Sequence, residues 1–175
     1  GEALYFSFFH SVSAFCNAGF SLFSDSLMGF QNNPWINIVI MVLITLGGIG
    51  FTVISDIFNR DLLDKKKRRR FWHRQSLHTK LAVSISAILV VVGTIAIFYF
   101  EYFHSLSPLP FGQKVLAALF QSVTLRTAGF NTVDMSVISD TTVGIMCVCM
   151  FIGASPGGTG GGIKTTTFGV LLFSI

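Results

Sequence analysis

The sequence predicts an all-α integral membrane protein assembled from helix–re-entrant helix–helix repeats, incomplete in this chain. Three observations predict it. Hydrophobic residues make up 51% of the 175 and charged residues 11%, too apolar a balance for a soluble domain. Nine of the twelve Lys and Arg residues lie from Arg60 to Lys80, between two apolar segments, which is the pattern of a cytoplasmic positive-inside loop. A short phrase also occurs twice. Phe9-His10-Ser11-Val12-Ser13-Ala14-Phe15-Cys16-Asn17-Ala18-Gly19-Phe20 recurs as Phe120-Gln121-Ser122-Val123-Thr124-Leu125-Arg126-Thr127-Ala128-Gly129-Phe130, with one residue dropped. Repetition of this kind indicates two copies of one membrane hairpin.

Residues 2–15 are apolar and rich in aromatics. As a helix they would be about 21 Å long, short of a hydrocarbon core of about 30 Å, so they predict a half-helix that enters the membrane and turns back. After the polar loop Ser24 to Asn33, Pro34-Trp35 supplies a helix-start proline beside an interfacial aromatic. Ile36 to Phe58 is long enough to span, with Gly47-Gly48-Ile49-Gly50 allowing close helix packing in its lower half. A second span runs from Leu77 to about Tyr99 and ends in an aromatic belt. Pro108 and Pro110 mark the next loop, Gln113 to Leu125 repeats the half-helix pattern, and a last span begins near Thr141.

Three segments follow. Residues 1–58 hold a pore helix, a filter loop and the second transmembrane helix of one repeat. Residues 59–80 form a basic cytoplasmic linker. Residues 81–175 hold a transmembrane helix, a pore helix, a filter loop and a broken transmembrane helix of the next repeat. With the linker cytoplasmic, both repeated phrases open to the outside, where Asp25, Glu101, Asp134 and Asp140 outnumber Lys114 and Arg126 and would concentrate cations. The linker's charge faces anionic lipid heads or a cytoplasmic subunit rather than nucleic acid. Cys16, Cys147 and Cys149 lack metal-ligand spacing and are expected to be small buried hydrophobes. The chain begins at Gly1 and stops in an apolar run at Ile175, so it is expected to be an internal piece of a longer protein.

The repeated phrase carries the chemistry. A helix ending in mid-membrane points its C-terminal carbonyls, and about half a negative charge, at the bilayer centre. The returning chain is irregular backbone, tolerated at that depth only where it is buried or lines a water-filled path. A glycine lets its carbonyls turn to a common axis without a Cβ penalty, and rings of carbonyls replace the hydration shell of a potassium ion. Asn17, Ala18 and Gly19, with Thr127, Ala128 and Gly129, are therefore the candidate main-chain donors. The bland alternative is that each Ala-Gly-Phe is a helix-stop turn.

A second stretch, Gly153-Ala154-Ser155-Pro156-Gly157-Gly158-Thr159-Gly160-Gly161-Gly162-Ile163-Lys164-Thr165-Thr166-Thr167, resembles a phosphate loop superficially. That reading fails because Ile163 stands between the last glycine and Lys164, and because the stretch follows an apolar span rather than a strand. A helix broken at mid-depth by Pro and Gly must face a cavity. Below the filter, such a loop is placed to gate conduction. Lys164 either discourages cations when the loop swings in or snorkels to the cytoplasmic interface.

Ser13–Ser21, Thr127–Thr132 and Gly153–Thr165, in this order, resemble the Trk/Ktr/HKT superfamily of potassium transporters, and the Ser-Pro-Gly-Gly form of the loop resembles its KtrB branch. The likeness covers essentially the whole chain. It implies a potassium-channel-like fold of four helix–pore-helix–helix repeats around one pore, of which this chain holds part of the second and all of the third. It implies that Gly19 and Gly129 are filter glycines, and that Gly157, Gly158, Thr159, Gly160, Gly161, Gly162 and Lys164 belong to the intramembrane gating loop. It further implies a multi-pass subunit of the bacterial plasma membrane that conducts K+ passively. The full-length subunit would form a homodimer on a cytoplasmic ring of regulatory subunits docking beside Lys65–Arg70. Nucleotide is expected only on that ring, no cofactor on this chain, and K+ at the filter as the transported ion; sodium dependence stays open. Arg126, next to Thr127, is expected to point behind the filter and pair with a carboxylate. The alternative function is an ion-coupled carrier of a small solute, which also uses broken helices, but its usual midplane polar side chains are scarce here. An intramembrane enzyme is disfavoured, because His10 and Ser11 have no base-and-orienter set and Gln121 replaces His10 in the second copy. His10 is expected to be a packing residue.

Overall fold

The computed structural model describes residues 1–58 and 75–174. The half-helix pattern yields α1 (Glu2–Phe15), and Pro34 starts α2 (Pro34–Ile49). The Asn33 side chain caps α2 by accepting from the Trp35 and Ile36 N–H groups at 3.1 and 3.3 Å, satisfying two of the donors every helix start leaves open. The expected single span over 36–58 is instead broken. α3 (Phe51–Ile57) leaves α2 at 100°. Gly50 sits between them at φ +90°, a conformation in which a right-handed helix cannot continue. The inner side of the bend is filled: a Cβ on Gly50 would run into the Pro156 carbonyl, and the Phe51 N–H donates to the Gly157 carbonyl at 3.3 Å.

The basic linker from Arg60 to Arg74, including Lys65–Arg70, lies outside the described residues. Its two ends are nevertheless tied. Asp56 on α3 accepts from Ser76 Oγ at 2.7 Å and Thr79 Oγ1 at 2.6 Å, and Ser76 caps α4 (Leu77–Glu101) by accepting from the Thr79 N–H. With 25 residues, α4 is long enough to cross a bilayer. Its Ile88, Val91, Val92, Ile95 and Tyr99 are exposed on one stripe, a spacing of three and four that marks one helix face. Its other side packs on α5 (Phe111–Thr124), α6 (Asp140–Phe151) and α7 (Thr165–Ser174). Where α4 meets α5, Gly93 leaves room for Ser122, whose Oγ donates to the Val90 carbonyl at 2.8 Å.

The second half-helix, α5, is the most enclosed element. Phe120 and Val123 pack with Ile40, Met41 and Ile44 of α2 on one side, while Ala117 and Ala118 pack with Ile97 and Met146 on the other. α1 is less covered, with Leu4, Tyr5, Phe8 and Val12 exposed. The two copies of the phrase diverge for the same reason: Phe20 is 70% exposed and its counterpart Phe130 0%.

Two expectations need correction. Glu101 does not contribute charge at the outer mouth. It is buried at the end of α4, accepting from the Ser139 N–H at 3.1 Å, Ser139 Oγ at 2.6 Å and the Ser105 N–H at 3.3 Å, so its charge is spent in capping α6 and the turn after α4. Cys16 and Cys147 are exposed, and Cys149 is half-buried against the cluster around Ile97 and Met146. Glu101→Ala strands the Ser139 N–H and is expected to cost about 2–3 kcal/mol of stability, the weight of charge-assisted bonds to a buried group. Glu101→Gln, which keeps an acceptor, should cost less. The thermal midpoint of the full-length parent in detergent reads both.

Candidate functional site: two glycine turns and a docked loop

Each half-helix ends in the same backbone figure. After α1, Asn17 has φ +51° and Gly19 +69°; after α5, Thr127 has +66° and Gly129 +84°. Ala18 and Ala128, between them, keep negative φ. Alternation of hand along a chain turns successive carbonyls to one side and N–H groups to the other. Four of the six N–H groups are taken: Asn17 donates to Ala14, Ala18 to Ser13, and Ala128 and Gly129 both to Thr124. Among the described residues, no hydrogen bond reaches the carbonyl oxygens of Asn17, Ala18, Gly19, Thr127, Ala128 or Gly129.

The turns meet. A Cβ on Gly19 would strike the Ala128 carbonyl and come within 2.9 Å of the Gly129 Cα, and one on Gly129 would come within 3.4 Å of the Gly19 Cα. Only glycine serves at Gly19, on both space and φ. The exits are clamped together as well. Asn131 receives an N–H bond from Leu27 at 2.9 Å and donates its own N–H to Ser26 Oγ at 3.1 Å. His10 holds this exit from behind. It is buried and stacks on Phe23 at 5.0 Å. The Leu22 N–H donates to its Nε2, so the ring proton is on Nδ1, donated to the Phe6 carbonyl at 2.7 Å. His10 is thus a packing residue, as expected. Outside the helices, Asp134 is exposed, and the Ser136 hydroxyl and N–H hold its carboxyl below the usual carboxylate range, keeping it charged near the exit.

The glycine-rich loop lies between α6 and α7. Its base is stapled by a parallel bridge between Ile152 and Ile163, with Gly153 donating to Ile163 and Ile163 to Phe151. Its tip reaches both turns. The Thr159 N–H donates to Gly47 O at 3.0 Å and its hydroxyl to Phe15 O at 2.9 Å, while the Gly161 N–H donates to Thr127 Oγ1 at 3.0 Å. The Asn17 amide meets Thr159 Oγ1 at 2.9 Å, its Nδ2 donating to the hydroxyl that donates to Phe15 O; with the amide flipped, its Oδ1 takes that hydroxyl proton in place of Phe15 O. Ser155 N–H completes the docking on Gly48 O at 2.9 Å. Gly160 passes between the two turns: a Cβ there would be 2.5 Å from Thr127 Oγ1 and 3.4 Å from Asn17 Nδ2.

The structure therefore brings Asn17 to Gly19, Thr127 to Gly129 and the loop tip Thr159 to Gly161 together, while Gly157 and Gly158 lie against Phe51 and Gly48 and Gly162 lies at the base against Gly153. The Lys164 Nζ donates to Gly160 O at 2.9 Å and holds the loop to itself. Arg126 is buried as expected, but among the described residues no carboxylate pairs with it, and its Nε and Nη1 make no hydrogen bond. The buried carboxylate of Glu101 is committed elsewhere. The sequence reading missed the role of Gly47, Gly48 and Gly50, which receive the loop and the end of α1 rather than a neighbouring helix. Their spacing was the available signal.

The model of the TrkH cation transport protein family matches residues 2–174. The Ktr system potassium uptake protein B of Vibrio alginolyticus is 41% identical over 95% of the chain, and that of Bacillus subtilis 42% identical over 99%. The chain spans only 36% and 38% of those proteins. The crystal structure of the potassium transporter TrkH from Vibrio parahaemolyticus shares the fold, with a TM-score of 0.71 and 23% identity, over 93% of this chain and 33% of that one. The family match sets the chain among cation transport proteins. With that model over nearly the whole length and relatives above 40% identity, the chain belongs to the TrkH family of cation transport proteins.

Proposed function

We propose that this chain is part of the pore-forming subunit of a potassium uptake system, conducting K+ passively through a backbone-carbonyl filter. One observation carries the reading: twice, at the end of a half-helix, three successive carbonyls of alternating hand are left without hydrogen bonds, and the two turns pack against each other. Unbonded carbonyls at membrane depth are costly unless an ion or water meets them. Asn17 to Gly19 and Thr127 to Gly129 supply them, and Gly157–Lys164 form the gate. On this reading residues 1–58 and 81–175 are parts of two consecutive repeats, joined by the cytoplasmic linker 59–80. The full-length subunit pairs as a homodimer over a regulatory ring, as the resemblance implies.

The test is potassium uptake in a potassium-auxotrophic bacterium expressing the full-length parent with its regulatory subunit. Rescue at low potassium is expected. A well-expressed parent that fails to rescue would favour the solute carrier. In the rescued strain Gly129→Ser, which adds a hydroxyl and a Cβ at φ +84°, is expected to relax discrimination against Na+. Unchanged discrimination would reduce the turn to a helix stop.

A further inference from the structure

Left-handed backbone is scarce outside glycine, and where it occurs it is worth asking what holds it. Among the described residues three non-glycine positions have it: Asn17, Ser26 and Thr127. Asn tolerates this region, but for β-branched Thr it is an outlier, and such outliers persist only when their surroundings over-determine them. Asn17 and Thr127 occupy matching places in the two turns, two residues before each glycine. They are also the two residues whose side chains the loop grips, Asn17 through Thr159 Oγ1 and Thr127 through the Gly161 N–H. With the Asn17 amide donating to it, the Thr159 hydroxyl also caps the last carbonyl of the half-helix, two residues back at Phe15. The loop thus bears on the starting residue of both turns, where the direction of every later carbonyl is decided.

We propose that the docked loop is a support of the filter as well as an obstacle beneath it, and that Thr159 is a positioning residue that sets ion selectivity. This rests on the reading of the two turns as a filter. When the loop withdraws, Asn17 and Thr127 lose the contacts that hold their left-handed conformation, and the carbonyls after them lose their fixed spacing. A filter of looser spacing discriminates less between K+ and Na+. Gate opening and selectivity are therefore linked at the first turn through the Thr159 hydroxyl and at the second through the Gly161 N–H.

A plain plug behaves differently: removing it raises flux and leaves selectivity alone. The experiment uses the full-length parent in proteoliposomes, with K+ and Na+ as the probe ions, and compares wild type with Thr159→Val, Thr159→Ala and Thr159→Ser. Thr159 is exposed, so these changes spare the core. Thr159→Val and Thr159→Ala are expected to raise basal flux and to lower the K+/Na+ permeability ratio by about fivefold, the weight of one lost hydrogen bond. Thr159→Ser, which keeps the hydroxyl, should stay within about twofold of wild type on the same scale. A raised flux with an unchanged ratio overturns the proposal and leaves the loop a plug. A serine variant that behaves like the valine one overturns it too, because methyl packing would then be the cause. Gly129→Ser is the control for the underlying reading. If it leaves the ratio unchanged while wild type conducts, the filter assignment fails, and that outcome is distinct from a failure confined to Thr159.

Discussion

Gly19→Asp is expected to abolish potassium uptake by the full-length parent, to less than about one-hundredth of wild type, equivalent to roughly 2.7 kcal/mol on the limiting barrier. Three effects act together. The residue sits at φ +69°, where a side chain is strained. Its Cβ would enter the Ala128 carbonyl and crowd Gly129, so both turns must move. A carboxylate beside the path would also hold a cation too tightly to release it, and conduction needs sites that are entered and left with equal ease. Gly129→Asp should fall in the same direction by a smaller amount, since its Cβ meets only the Gly19 Cα at 3.4 Å. Uptake at the auxotroph's limiting potassium concentration measures both, with surface expression as the control. Normal uptake by a well-expressed Gly19→Asp would mean that the turns do not line the path.

The second large effect lies in the loop. Deleting Gly158–Gly162 removes the Thr159 bonds to Gly47 and Phe15 and the Gly161 bond to Thr127. At about 0.5–1.5 kcal/mol for each bond, net, their loss removes a docking preference of roughly 2–4 kcal/mol, and basal flux should rise at least about tenfold. The deletion is feasible because Ile152 and Ile163 are already bridged, so α6 and α7 need not be drawn together. Rubidium uptake without the regulatory subunit is the measurement. Flux that does not change would make the loop a packing kink.

Local features of the fold were legible. A half-helix too short to cross, repeated with its Ala-Gly-Phe ending, located α1 and α5. Pro34 located the start of α2. The apolar run from Leu77 located α4, because continuous hydrophobicity over a bilayer's width is the mark of a membrane span. The candidate donors were legible for the same reason, since both turns follow directly from their helices. What was hidden depends on partners distant in sequence. Apolar continuity from Ile36 to Phe58 argued for one span, and the break at Gly50 makes sense only once Pro156 and Gly157 fill the bend. Glu101 read as a surface acid because its ligand Ser139 is 38 residues away. Asn17 and Thr159 meet across 142 residues, and no local pattern announces that pair. Thr159 was placed in the loop by its glycines, while its specific task came from the geometry.

The bend at Gly50 turns α3 into a lever. One end, at Phe51, holds the Gly157 carbonyl; near the other, Asp56 is fastened to Ser76 and Thr79 at the foot of α4. A rod of seven residues is about 10 Å long, so pivoting it by about 20° on its fastened end carries Phe51 roughly 3.5 Å sideways. That travel is enough to break an N–H···O contact. Torque applied where the chain leaves α3 is thereby delivered to the loop as displacement, without any helix crossing the membrane having to slide.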